Sequence, residues 1–99
     1  MKITLDCKVS LAKNILIQEL QGNSALVNLQ TQEYFSQNEV ATDMLWVLTE
    51  SASIEVAYRL LLEEYEVNAQ QLHQDLLGFI EQLSKYKIVE ISESNKNHN

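Results

Sequence analysis

The chain divides into a strand-patterned first third and a helix-patterned remainder. Asn14-Ile15-Leu16-Ile17-Gln18-Glu19-Leu20 is rich in β-branched residues and runs into Gln21-Gly22-Asn23-Ser24, where Gly-Asn signals a tight turn. Ala25-Leu26-Val27-Asn28-Leu29 reads as a second strand, with Ala25, Val27 and Leu29 on one face, and Gln30-Thr31-Gln32 closes the next turn. Glu33-Tyr34-Phe35-Ser36 follows as a short aromatic edge strand. Such a small antiparallel meander is not stable alone and requires a helical layer against one face.

Helical spacing supplies that layer. Asn38 is a good N-cap, Glu39 sits in the first turn where the helix dipole favours an acid, and Val40, Met44, Leu45, Val47 and Leu48 form an apolar stripe, predicting a helix over 39–50. Ser51-Ala52-Ser53 interrupts it with a capping serine. Ile54, Ala57, Tyr58, Leu61, Leu62 and Tyr65 then recur at intervals of three and four up to Glu66. Asn68 caps a third helix, with Gln71 at the capping-box position and Val67 and Leu72 as a hydrophobic staple. Leu72, Leu76, Phe79, Ile80 and Leu83 share one arc of its wheel with Tyr86 on the border, before Ile88-Val89-Glu90-Ile91 turns extended. The expected class is α+β and winged-helix-like: an N-terminal three-stranded antiparallel sheet packed on three helices. Residues 1–91 are expected to form one domain and 92–99 a polar, disordered tail.

A length of 99 residues fits one domain with a small core, and 45% hydrophobic with 21% charged residues is a globular composition. The net charge of −7 is uneven: residues 1–32 carry +1, residues 33–66 carry −7 with Arg59 the one cation, and residues 67–99 carry −1. A surface that neutralises phosphates needs clustered Lys and Arg, so nucleic acid is disfavoured as a partner. No apolar run approaches the length of a membrane span, and the first residues lack the apolar stretch and cleavage site of a signal peptide. A soluble, cytoplasmic protein without a membrane partner is expected.

Catalytic chemistry finds no foothold. Cys7 precedes the first recognisable strand and reads as a minor apolar or surface residue, and one cysteine makes no internal disulfide. His73 reads as a solvated helix histidine, and two histidines so far apart do not form a metal site. Glu63, Glu64 and Glu66 read as a solvated helix end whose like charges are mildly unfavourable near a C-terminus. Gly22 and Gly78 are the only glycines, too few for a phosphate loop. No catalytic residue, metal ligand or cofactor is expected. A winged helix would grip DNA with its third helix, yet that segment carries Asp75 and Glu81 and no Arg. What remains is an acidic domain with an aromatic edge strand beside an apolar helix, a site for β-augmentation by an incoming peptide.

Ala25-Leu26-Val27-Asn28-Leu29, Tyr34-Phe35 ahead of Gln37-Asn38 and Ala41, Trp46, Ser53-Ile54 with Leu60-Leu61 and Tyr65, and Asp75-Leu76-Leu77-Gly78-Phe79-Ile80-Glu81-Gln82-Leu83 together resemble the PqqD-like RiPP recognition elements. The small stand-alone members of lasso-peptide biosynthesis are the nearest in pattern, over about Ile15 to Ile91. Two positions depart: the family usually has glycine where Gln32 stands and an aliphatic residue where Gln37 stands. The resemblance implies a non-catalytic adaptor without a cofactor that captures the leader segment of a ribosomally made precursor peptide and presents it to a cysteine-protease-like leader peptidase or other modifying enzyme. It implies pairing along Glu33, Tyr34, Phe35 and Ser36, with leader side chains against Asp75, Leu76, Phe79, Gln82, Leu83 and Tyr86. On the wheel, Asp75, Phe79, Gln82 and Tyr86 form one border of the apolar arc and Leu77 and Ile80 the other, and the pattern leaves open which one lines the groove. A winged-helix nucleic-acid binder or regulator is the alternative reading.

Overall fold

The computed structural model describes residues 3–93, in which β1 (Lys8–Leu11), β2 (Ile15–Leu20), β3 (Asn23–Asn28), β4 (Tyr34–Gln37), α1 (Glu39–Glu50), α2 (Ile54–Glu64), α3 (Ala69–Lys85) and β5 (Val89–Ser92) follow in order. Gln21 and Gly22 both take positive φ (57° and 88°), and this two-residue turn sets Leu20 opposite Asn23. Positive φ at both turn residues matches the twist of the strands it joins. The resulting antiparallel sheet has the order β2-β3-β4. The expected class, three antiparallel strands with three helices, is the one found.

A second sheet lies beyond that expectation. β1 pairs antiparallel with β5, from Lys8 opposite Ser92 to Leu11 opposite Val89. Cys7 is accordingly a core residue, 2% exposed, and not a surface one. The alternation Leu5, Cys7, Val9, Leu11 is the local signal for this strand. Ser92 closes β5, and residues 94–99 of the expected tail lie outside the described residues.

β3 buries Ser24, Leu26 and Asn28, while Ala25 and Val27 are half-buried and Leu29 is exposed. The polar pair is tolerated inside because each member is satisfied. Ser24 Oγ and Thr42 Oγ1 of α1 share a hydrogen bond of 2.8 Å. Asn28 Oδ1 accepts from the amides of Gln30 (2.9 Å) and Thr31 (3.0 Å) and from Asn14 Nδ2 (3.0 Å), so this one side chain organises the loop into β4. In that loop Gln32 takes φ 67°, the left-handed conformation that favours glycine.

Each helix starts on its expected cap: Asn38 accepts from Ala41 N at 2.8 Å, Ser53 from Val56 N at 3.2 Å and Asn68 from Gln71 N at 3.0 Å. The reciprocal half of the capping box is not made, since Gln71 Nε2 donates to Asp75 Oδ1 instead (2.8 Å). α2 stops at Glu64 rather than Glu66, because Tyr65 turns extended and sends its hydroxyl across to Asp43 of α1. His73 is half-buried, its ring edge-on to Tyr58 of α2 with centroids 5.7 Å apart, where a solvated histidine was expected. α3 ends in a Schellman motif: Lys87 takes φ 61°, its N–H reaches Ser84 O, and Ile88 N–H reaches Leu83 O.

The segment before β1 closes the joint between α1 and α2. Lys8 Nζ donates to the carbonyls of Thr49 (2.8 Å) and Ser51 (2.6 Å), placing a cation at the negative end of α1, whose last turn has none of its own. The carbonyls of Cys7 and Leu5 accept from Ile54 N and Glu55 N at the start of α2, both at 2.8 Å. Lys8→Met keeps the stem and removes the charge. It is expected to lower the unfolding free energy by about 1–2 kcal/mol in urea titrations; an unchanged midpoint would remove Lys8 from this role.

Candidate functional site

β4 is an outer strand, so one of its edges has no strand partner among the described residues. Asn28 N–H donates to Glu33 O at 2.9 Å, and the alternation of an antiparallel ladder makes Leu26 with Phe35, and Ser24 with Gln37, the next hydrogen-bonded pairs. The amides and carbonyls of Tyr34 and Ser36 therefore face the open edge, while those of Phe35 and the carbonyl of Glu33 are directed to β3. Side chains alternate between the two faces: Phe35 and Gln37 are half-buried on the helix side, and Tyr34 and Ser36 are exposed on the outer face.

α3 separates its residues by depth. Leu76 and Leu83 are 1% and 3% exposed, so their side chains belong to the core. Phe79 is partly buried against that core, Tyr86 is exposed at the helix end, and Asp75 and Gln82 are exposed. The Phe35 ring meets Tyr86 with centroids 5.3 Å apart and planes tilted by 51°. That contact brings the Asp75, Phe79, Gln82, Tyr86 border to the β4 side. Of the other border, Ile80 is fully buried and Leu77 half-buried. Lys85 Nζ lies over the Tyr86 ring, 5.9 Å from its centroid.

Two features of the neighbourhood escape the sequence pattern. Gln37, at the position where the resembling family has an aliphatic residue, buries its Oε1 without a hydrogen-bond partner among the described residues. Glu19, Glu39, Asp43 and Glu64 come together around a hollow of about 430 Å³ beside Trp46 and Tyr65. Tyr65 donates to Asp43 Oδ2 at 2.7 Å, and this bond, with burial and the charges of Asp43, Glu64 and Glu39, pushes the phenol up to about 12. Glu64 is held above the usual carboxylate range, chiefly by its contact with Asp43. Four acids drawn from one strand and two helices are invisible as a cluster in the linear sequence.

Among the described residues no three His, Cys, Asp or Glu side chains are arranged to hold a metal ion. Cys7 Sγ is buried, with the Thr4 hydroxyl 3.5 Å away. The arrangement suits binding: an open strand edge whose exposed main chain is flanked by aromatic rings on a helix. No helix among the described residues is long and apolar enough to cross a membrane.

Residues 23–89 match the family model described as coenzyme PQQ synthesis protein D (PqqD). Two solved structures are similar in fold. One is TbiB1 in complex with the TbiA(beta) leader peptide, with a TM-score of 0.76 and 22% identity, covering 82% of this chain and 94% of that one. The other is lasso peptide synthetase B1 complexed with the leader peptide, with a TM-score of 0.76 and 19% identity, covering 84% of this chain and 98% of that one. The curated proteins searched contain no match to the sequence.

Gln37→Leu removes an unpartnered buried oxygen and is expected to raise stability by about 1 kcal/mol, read from the urea midpoint; a loss of stability would mean that the amide has a partner. Tyr65 has a separate signature. Its folded value near 12 lies above the ordinary value of 10.0, so its contribution to stability is present below pH 10 and fades as pH rises towards 12. Tyrosinate absorbance in the folded protein is expected to show a late-ionising phenol that Tyr65→Phe abolishes.

Proposed function

The chain belongs to the PqqD family, and on that premise we propose that it is a non-catalytic adaptor for a ribosomally synthesised precursor peptide. The leader segment adds as a strand to the open edge of β4, and its alternate side chains meet the flank of α3. The observation that carries this reading is the edge itself: the outward amides and carbonyls of Tyr34 and Ser36 stand beside the Phe35 and Tyr86 rings. Main-chain bonds give affinity in such an arrangement, and the rings give selectivity. The two similar structures, each bound to a leader peptide, support the same ligand class. They also support a lasso peptide as the product class. The adaptor then presents the leader to a cysteine-protease-like leader peptidase or another modifying enzyme, in the cytoplasm, with no reaction of its own.

Phe79 is the side-chain anchor on this reading, and Asp75, Gln82 and Tyr86 line the same flank. Leu76 and Leu83 support the flank from beneath, and truncating them would cost about 2–5 kcal/mol of stability, confusing folding with binding.

Two probes separate the contributions. Phe79→Ala is expected to weaken the cognate leader by about 30-fold, the equivalent of about 2 kcal/mol. Ser36→Pro deletes an outward N–H without removing a bond to β3, since edge strands accept proline on their solvent side, and is expected to weaken binding by about tenfold or more. Anisotropy of a labelled leader peptide reads both, with far-UV circular dichroism reporting the fold. Wild-type affinity in both folded variants would overturn the proposed edge and groove.

A further inference from the structure

Gln37 places a primary amide where the fold has nothing to bond it. The residue is half-buried, its Oε1 is enclosed, and no donor among the described residues reaches that oxygen. Enclosed oxygens are nearly always paired, because losing water without gaining a donor costs free energy, so an exception calls for a cause. The polar groups around it are already engaged. Ser24, directly opposite in the ladder, shares a hydrogen bond of 2.8 Å with Thr42, and Asn38 Oδ1 accepts from Ala41 N at 2.8 Å as the cap of α1. An aliphatic side chain would fill the same place at no such cost. Nothing in the free protein accounts for the amide.

Its position relative to the open edge supplies a cause. Phe35 and Gln37 share the helix side of β4, while the main chain of Tyr34 and Ser36 faces outward. A strand added there carries side chains two residues apart to the helix side, one beside Phe35 and the next beside Gln37. The first meets rings, since Phe35 packs on Tyr86 with centroids 5.3 Å apart. The second meets the amide. Gln37 also lines, with Ser36 and Asn38, a hollow of about 680 Å³, so there is room beside it for an incoming side chain.

We propose that Gln37 selects the leader by pairing its side-chain amide with that of a leader asparagine or glutamine, two residues along from the side chain that meets Phe35. The proposal rests on the reading of β4 as the peptide edge and adds the chemical identity of one leader position. A primary amide offers an acceptor at one end and donors at the other, and a second primary amide answers both with two bonds. An aliphatic leader residue would bury Oε1 further and leave it unpaired, which is the strong form of discrimination. A carboxylate brings no donor to Oε1 and enters the third of the chain, residues 33–66, that carries −7. A charged amine answers the oxygen but gives up water at a half-buried edge for a single bond.

The test is a double-substitution cycle between protein and peptide. The labelled cognate leader, and variants with each polar residue changed in turn to Leu, are titrated by anisotropy into wild type, Gln37→Leu and Gln37→Met. The last keeps the length of the side chain without its amide, and urea midpoints report that both variants fold. One Asn or Gln position of the leader is expected to lose about tenfold in affinity for wild type when changed to Leu, and at most about twofold for the two Gln37 variants. Those variants are expected to bind the unaltered leader about tenfold more weakly although they are more stable, a crossing that a purely structural side chain would not produce. Coupling confined to a Ser, Thr, Lys or Arg position, or no coupled position while Ser36→Pro still weakens the leader, overturns the proposal alone. Wild-type affinity in both Ser36→Pro and Phe79→Ala overturns the β4 reading beneath it.

Discussion

The arrangement depends on a lysine that reaches from one end of the fold into a joint between two helices. Lys8 holds the last carbonyls of α1 while the backbone just before it holds the first amides of α2, so a single segment fixes where one helix stops and the next starts. The same segment continues as β1, which pairs with β5, and β5 follows directly from the end of α3. The position of α3 beside β4 is therefore coupled to residues remote from both in sequence. Remove the anchoring cation and the α1 terminus loses both its charge complement and its tie to the small sheet.

Much of this was legible in the chain. The β2–β3 turn, the three N-caps and the helical arcs are local signals, each decided by a few neighbouring residues such as Asn38 with Ala41 or Asn68 with Gln71. β1 is harder because a strand of four residues has little pattern to show, and its partner lies some eighty positions away. The inward face of β3 is concealed for another reason: Ser24 and Asn28 look like surface residues until Thr42 and the loop amides are there to bond them. The Asp43–Tyr65 bond that ends α2 early is likewise a tertiary contact overriding a helical repeat.

The candidate edge was readable as four residues with aromatic character, and α3 as an amphipathic helix. Their joining was not, since wheel geometry leaves two borders open until the Phe35–Tyr86 contact brings one of them to the strand. The departures from the resembling family take on physical meaning in the same way. Gln32 adopts a backbone conformation suited to glycine, and Gln37 carries an amide into a place suited to an aliphatic side chain. Both residues flank the loop and strand proposed to receive the peptide, so local stability has been relinquished next to that edge.

With just two residues turning their amides outward, β4 offers bonding that is blind to the identity of whatever lies on it and that repeats every second position. A cargo displaced by two residues would meet the same donors and acceptors. On the proposed reading, choice among these equivalent frames would fall to the rings of Phe35, Phe79 and Tyr86. On this geometry, drift in the cargo is tolerated wherever its side chains face water and selected against at the few positions that meet those rings, so an adaptor of this shape can go on serving a precursor whose sequence wanders everywhere else.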